Sequence, residues 1–157
     1  MSSTDVSGET GLAESALGVD MNLEVVTLPV GDVDRAKAFY QSLGWRLDID
    51  LVISEEVRNV QLTPPHSGCS IQFGKGRTDA EPGSAQAMIL VVKDIDAARG
   101  DLINRGVDVS EVQEMKPPGF DAPGRSYFAR ASFSDPDGNG WELQEITSRL
   151  PGRTWKE

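Results

Sequence analysis

Apolar side chains recur in this chain with two different periods, and the switch between them marks its elements. Leu23 to Val30 and Met88 to Val92 are runs rich in Val, Leu and Ile, the residues that suit a pleated surface. Each run is followed by an aspartate, Asp32 or Asp94, and then by apolar residues at helical spacing: Val33, Ala36 and Tyr40, or Ile95, Ala98 and Leu102. The aspartates stand where a side-chain oxygen can accept from the first free backbone N–H groups of a helix. Gly44 and Gly106 stand where a left-handed residue ends it. Strand-like stretches come next: Trp45 to Ile53, Val57 to Thr63 and Cys69 to Phe73 in the first half, and Val109 to Met115, Ser126 to Ser134 and Gly140 to Ile146 in the second.

The two halves are copies of one plan. Val30-Gly31-Asp32-Val33-Asp34-Arg35-Ala36 recurs as Val92-Lys93-Asp94-Ile95-Asp96-Ala97-Ala98, and the same offset carries Gly44 onto Gly106. The expected fold is therefore α+β, two β-α-β-β-β modules forming a curled sheet around a cup-shaped pocket with the helices on its outer face. The polar stretch from Gly74 to Ser84 joins them. Neither half buries much surface alone, so the halves pack on each other or pair with another chain. A ferredoxin-like sandwich without a cavity is the competing architecture. Residues 1–20, rich in Ser, Gly, Thr and Ala, read as a tail, residues 21–147 as the domain, and 148–157 as a second tail.

Composition narrows the functional classes. The formal charge of −10 and the single histidine leave no basic face to displace counterions from a phosphate backbone, so nucleic-acid partners are not expected. No apolar run serves as a signal peptide or membrane span, and the one cysteine, Cys69, has no partner for an internal disulfide. A cytoplasmic protein with no membrane partner is the reading that follows.

Two motifs in order give the chain a family resemblance. Thr27-Leu28-Pro29-Val30-Gly31-Asp32-Val33-Asp34-Arg35-Ala36-Lys37-Ala38-Phe39-Tyr40, with Leu43-Gly44-Trp45 after it, resembles the opening motif of the vicinal-oxygen-chelate superfamily, the glyoxalase/bleomycin-resistance/dioxygenase-like proteins. Asp135-Pro136-Asp137-Gly138-Asn139-Gly140-Trp141-Glu142-Leu143 resembles its closing turn and last strand. The closing turn also reads unaided as a tight hairpin, with Pro136 fixing φ and Gly138 and Asn139 tolerating positive φ. The resemblance spans roughly Leu23 to Ile146 and implies paired modules around a pocket and a homodimer.

Alternation assigns the faces of the strands. Val26, Leu28 and Val30, Val60 and Leu62, Ile71 and Phe73, Met88, Leu90 and Val92, and Trp141 and Leu143 form an apolar set that meets the helices. The complementary set is Val25 and Thr27, Asn59 and Gln61, Ser70 and Gln72, Ala87, Ile89 and Val91, and Glu142 and Gln144. Phe133 toward the helices places Phe128, Arg130 and Ser132 on that second face. The expected ligand-binding residues are Val25, Gln61, Gln72, Ala87, Arg130, Gln144 and Tyr127.

In metal-dependent relatives, as the resemblance implies, His or Glu side chains on the first and last strands of each module hold a divalent ion. Those positions fall on Val25, Gln72, Ala87 and Glu142, and Glu142 alone keeps a ligand type. Val and Ala offer no donor atoms, so no cofactor is expected and a divalent metal is disfavoured. Glu142 is read either as a carboxylate at a solvated strand end or as an acid inside the cup, where it is the candidate general acid or base. His66, in Pro64-Pro65-His66-Ser67-Gly68, reads as a surface-loop residue, and Cys69 as an inert thiol on the helix-facing set. Lys116 to Tyr127 reads as a Gly/Pro loop that either covers a ligand through Phe120, Arg125 and Tyr127 or merely connects. Trp155 in the C-terminal tail is a weaker candidate for packing on a neighbour or over the cup.

Three functions compete at this point: a metal-independent protein that binds a small organic ligand, a glyoxalase-like lyase or isomerase or a dioxygenase-like enzyme using Glu142 as acid/base or remnant metal ligand, and an interaction module with a filled cup. The identity of the ligand does not follow from fold.

Overall fold

The computed structural model describes residues 18–119 and 124–149. Residues 1–17 of the expected tail, Phe120 of the loop, and residues 150–157 with Trp155 lie outside that range. In chain order the elements are β1 (Val25–Thr27), α1 (Val33–Ser42), β2 (Arg46–Val52), β3 (Arg58–Thr63), β4 (Ser70–Lys75), β5 (Met88–Val92), α2 (Ile95–Asn104), β6 (Gln113–Glu114), β7 (Ala129–Ser134) and β8 (Gly140–Glu145). They form two mixed sheets of four strands, ordered β1-β4-β3-β2 and β5-β8-β7-β6, so each β-α-β-β-β unit makes one sheet. No helix among the described residues is long and apolar enough to cross a membrane.

The helix ends behave as the sequence dictates. Asp32 and Asp94 lie in extended backbone and accept from the N–H of Arg35 and Ala97, each at 3.0 Å. Gly44 and Gly106 take φ of 87° and 89°, which a β-carbon would strain. The ladders also fix the faces. Val25 lies beside Ser70, Thr27 beside Gln72, Gln61 beside Gln72, and Ile89 beside Glu142, so the complementary set forms contiguous rows across each sheet. Most of the opposite, apolar set is buried with the helices, where Leu28, Ala36, Tyr40, Val60, Leu62, Phe73, Ile95 and Ala129 are at most 1% exposed, but Val26, expected in that set, is 37% exposed.

Three expected strands are shorter than the pattern suggests: Leu23 to Val30 yields only Val25–Thr27, and the other two each have a local cause. Val109 to Met115 yields only Gln113–Glu114. Ser110 donates its N–H to the Ser132 carbonyl, but the Ser132 N–H returns to the Ser110 hydroxyl, because Arg99 Nε already takes the Ser110 carbonyl at 2.7 Å. A side-chain oxygen thus replaces a ladder carbonyl and regular pairing stops. Ser126 to Phe128 is a turn rather than strand: the buried Ser126 hydroxyl accepts from the N–H groups of Thr147 and Ser148, and Tyr127 is held at φ 73°.

One core unites the modules. Tyr40 and Trp45 from the first module pack against Trp141 of the second, with ring centroids 6.1 and 5.3 Å from it. At the centre of the contact the Tyr40 hydroxyl donates to Asp135 Oδ2 at 2.7 Å and accepts from Trp141 Nε1 at 3.0 Å. Burial, and next the Asp135 carboxylate, push this hydroxyl far above the ordinary tyrosine range, so it remains a donor. Asn139, expected to act through turn conformation, is instead fully buried. Its Nδ2 donates to the Pro29 carbonyl and to Asp135 Oδ2, both at 2.9 Å, and its Oδ1 accepts from Ala85 N–H. The linker threads the same joint, since a β-carbon on Gly83 would lie 2.1 Å from the Asp137 carbonyl oxygen.

Two outcomes are expected. Tyr40→Phe strands the Trp141 N–H and one Asp135 lone pair in the core and should cost about 1–3 kcal/mol in urea unfolding; an unchanged midpoint would contradict the buried bonds. Asp50 is held below the usual carboxylate range, first by hydrogen bonds from Arg58 and then by Lys37. Because its folded value is depressed, its contribution is complete at neutral pH and is lost as the pH drops below about 4. The stability gap between wild type and Asp50→Asn, measured by denaturation across that window, should therefore shrink on acidification.

Candidate functional site

The face of the second sheet turned away from its helix carries the richest chemistry. Ala129, Ala131 and Phe133 of β7 enter the core, so Arg130 and Ser132 project from the other side. Ser132 stands beside Glu142 and Arg130 beside Gln144. Gln113 of β6 extends the row beyond Arg130. Over these strands lies a cavity of about 490 Å³ walled by Met115, Tyr127, Phe128, Gln113, Arg130 and Gln144, with Glu142 at its edge.

Local bonds position these side chains. The Gln144 amide donates to the Tyr127 carbonyl at 2.7 Å, and the Tyr127 N–H donates to the Glu145 carbonyl at 2.8 Å. Together they hold Tyr127 at a positive φ that a bulky residue rarely adopts, which places its ring on the cavity wall. Lys116 Nζ sits 5.4 Å from the centre of the Phe128 ring. Arg130 Nη1 donates to Glu142 Oε2 at 3.3 Å, an ion pair whose side chains are 45% and 32% exposed. Glu145, next but one to Gln144's neighbour Leu143, faces the other way, buried, and accepts from the Ile95 N–H at 3.1 Å, adding a second carboxylate to the start of α2.

Of the residues singled out from sequence, Tyr127, Arg130, Glu142 and Gln144 meet around this cavity, and Ala87 lines a larger groove that adjoins it at Glu142. Val25, Gln61 and Gln72 lie on the other sheet and wall neither space. There Gln72 Nε2 donates to Thr27 Oγ1 at 2.7 Å, and Arg77 Nη2 reaches Gln72 Oε1 at 3.4 Å. Ser110, Gln113 and Met115 were not singled out. They belong to the stretch that reads as an uninterrupted strand, and nothing in its pattern marks the break at Ser110. Phe128 and Ser132 did follow from the phase set by Phe133.

The four positions that hold a metal in relatives do not fit one here. Val25 and Ala87 carry no donor atoms, the Gln72 amide is committed to Thr27 and Arg77, and Glu142 is paired with Arg130. Among the described residues no group of three or more His, Cys, Asp or Glu side chains converges. His66 is exposed in its loop at φ 62°. Cys69 is half-buried, and burial, then Glu24, push its thiol upward, away from the nucleophilic thiolate.

Comparison with known proteins agrees with the architecture. The family model of the Glyoxalase/Bleomycin resistance protein/Dioxygenase superfamily matches residues 22–143. TnmS3, an antibiotic binding protein from Streptomyces sp. CB03234, is similar at 28% identity with a TM-score of 0.66, over 82% of this chain and 98% of that one. A glyoxalase/bleomycin resistance protein from the same organism is 29% identical with a TM-score of 0.61, over 78% and 99% of the two chains. A superfamily member from Sphaerobacter thermophilus DSM 20745 is 26% identical with a TM-score of 0.63, over 80% and 98%. No curated protein matches the chain.

A half-exposed ion pair contributes little to folding. Glu142→Gln should therefore leave stability within about 1 kcal/mol of wild type in a urea titration. A loss above about 3 kcal/mol would mean that the Arg130–Glu142 pair props the sheet instead of furnishing the cavity.

Proposed function

The chain belongs to the glyoxalase/bleomycin resistance protein/dioxygenase superfamily, and on that footing we propose that it binds a small organic molecule over its second sheet without a divalent metal. The observation that carries this reading is the wall of the 490 Å³ cavity, where Met115, Tyr127 and Phe128 offer apolar and aromatic surface and Gln113, Arg130 and Gln144 offer a few fixed polar groups. A concave, mostly apolar site with sparse polar groups is the common form of small-molecule recognition. The missing donors at Val25 and Ala87 support binding without a cation. Similarity to an antibiotic binding protein supports a sequestering role.

A second reading rests on Glu142 itself. Its carboxylate borders the cavity within reach of Arg130, so the same site suits a lyase or isomerase in which Glu142 takes a proton from a bound carbon acid and returns it. We further propose a homodimer. Ile49 and Leu51 stand beside Gln61 and Asn59 on the open face of the first sheet, Ile89 stands beside Glu142 on that of the second, and all three are more than 40% exposed. A second copy covering them removes apolar surface from water.

Calorimetric titration of aromatic antibiotics into protein kept in excess chelator should show binding, and Tyr127→Ala should weaken it about tenfold. Binding that vanishes with chelator and returns with a divalent ion would overturn the metal-free reading, whereas Glu142-dependent turnover of the ligand would favour the enzyme. Light scattering should give twice the chain mass; a monomer at high concentration would refute the dimer.

A further inference from the structure

The cavity over the second sheet has a neighbour of different character. A groove of about 760 Å³ shares the wall formed by Ser110, Ser132 and Glu142 and runs past Asp108 and Ser134 toward Ala87. The two spaces thus meet side by side on one sheet face. Where the smaller one presents Met115, Tyr127 and Phe128, the larger sets hydroxyls and carboxylates beside an apolar wall of Phe39, Val107, Phe133 and Trp141.

Some polar groups of the groove are open to a ligand, whereas Ser110, Gln86 and Asp135 are bonded within the protein. The Ser132 and Ser134 hydroxyls, the Asp108 carboxylate and Glu142 Oε1 have no hydrogen-bond or ion-pair partner among the described residues. Among the described residues no lysine or arginine lines the groove, and Arg130, paired with Glu142 at 3.3 Å, lines the aromatic cavity instead. Several carboxylates elsewhere on the protein are held in ion pairs, Asp34 and Asp50 by Arg58, Asp48 by Arg46, Asp96 by Arg125, Asp101 by Arg105 and Asp137 by Arg35, whereas Asp108 is not. The unpaired Asp108 carboxylate and the second oxygen of Glu142, beside open hydroxyls, suit a ligand group that is both hydroxylated and positively charged.

Building on the binding reading above, we propose that the ligand is bipartite: a flat aromatic body lies against Tyr127 and Phe128, and an arm bearing hydroxyls and a protonated amine, such as an amino sugar, enters the groove between Asp108 and Glu142. Aromatic glycosides with an amine on the sugar are the chemical class that fits. Glu142 sits at the junction, so its two oxygens serve both halves, one facing Arg130 and the other available to the arm.

Fluorescence titration with dansylcadaverine, a naphthalene carrying a primary ammonium, and with its N-acetyl derivative tests this directly. The ammonium form should bind about tenfold more tightly at neutral pH and low salt. Asp108→Asn, a surface change that leaves the core untouched, should bring the two probes together, whereas Glu55→Gln removes the same charge at the remote β2–β3 turn and should leave the gap intact. Tyr127→Ala should weaken both probes alike. Equal affinity of the two probes in wild type, or equal effects of Asp108→Asn and Glu55→Gln, would overturn the bipartite ligand while leaving the aromatic site standing. If neither probe binds, the binding reading itself fails and this inference with it.

Discussion

The Asp135 carboxylate lies almost wholly buried beside Tyr40 and Trp141, a position that is costly unless its lone pairs are filled. Four donors fill them. Oδ1 accepts from the backbone N–H of Asp137 and Asn139, and Oδ2 from the Tyr40 hydroxyl and Asn139 Nδ2. One of those donors comes from the first module and three from the turn that Asp135 opens. Asn139 then passes the connection on to the Pro29 carbonyl, and Asp137 Oδ1 accepts from Gly31 N–H and Arg35. The polar side-chain atoms of Asp135 and Asn139 are all satisfied, and only Asp137 Oδ2 is left without a partner, so the turn and the β1–α1 junction hold one relative placement. Glu142 follows three residues after Asn139, and its position on the sheet is inherited from that joint.

Much of this was legible because the relevant signals are local. An aspartate before a helical period caps the helix whatever surrounds it, and a glycine after it ends it, as Asp32, Asp94, Gly44 and Gly106 do. Alternation likewise fixed which side of each strand faces the core, since a one-residue slip would have buried Gln61 and Gln72. What local pattern could not carry was any role that depends on a distant partner. Asn139 reads as a turn former, and only the presence of Pro29 and Ala85 across the joint makes it a buried clasp. Ser110 reads as one more strand residue, and only Arg99 drawing off its carbonyl turns it into a break. The candidate site was half readable for the same reason. Tyr127, Arg130, Glu142 and Gln144 share one sheet face, whereas Val25, Gln61 and Gln72 occupy the equivalent rows of the other sheet, and no pattern in either half states how the two faces are disposed.

The repeat makes the difference between the modules instructive. Helices and caps are nearly the same in both, so beyond the shortened β6 the divergence that bears on the site lies on the open faces. In the first module the row Thr27, Gln72 and Gln61 closes on itself through the Gln72–Thr27 bond, with Arg77 resting on the remaining amide oxygen. In the second the matching row is Ile89, Glu142 and Ser132. Its hydroxyl and one carboxylate oxygen stay open.

That asymmetry fits the metal-free reading proposed above. A cation draws donors from both modules toward one point, which forces both open faces to contribute. With Val25 and Ala87 in place of donors that demand disappears, and each face is free to follow its own chemistry. The first spends its amides internally. The second couples an aromatic wall to a polar one through Arg130 and Glu142, whose mutual attraction keeps each charge partly compensated, as the proposed binding site requires. Because the pair is partly solvated, separating it costs little, and a ligand that supplies its own charge and aromatic surface can replace the contact without disturbing the Asp135 joint beneath.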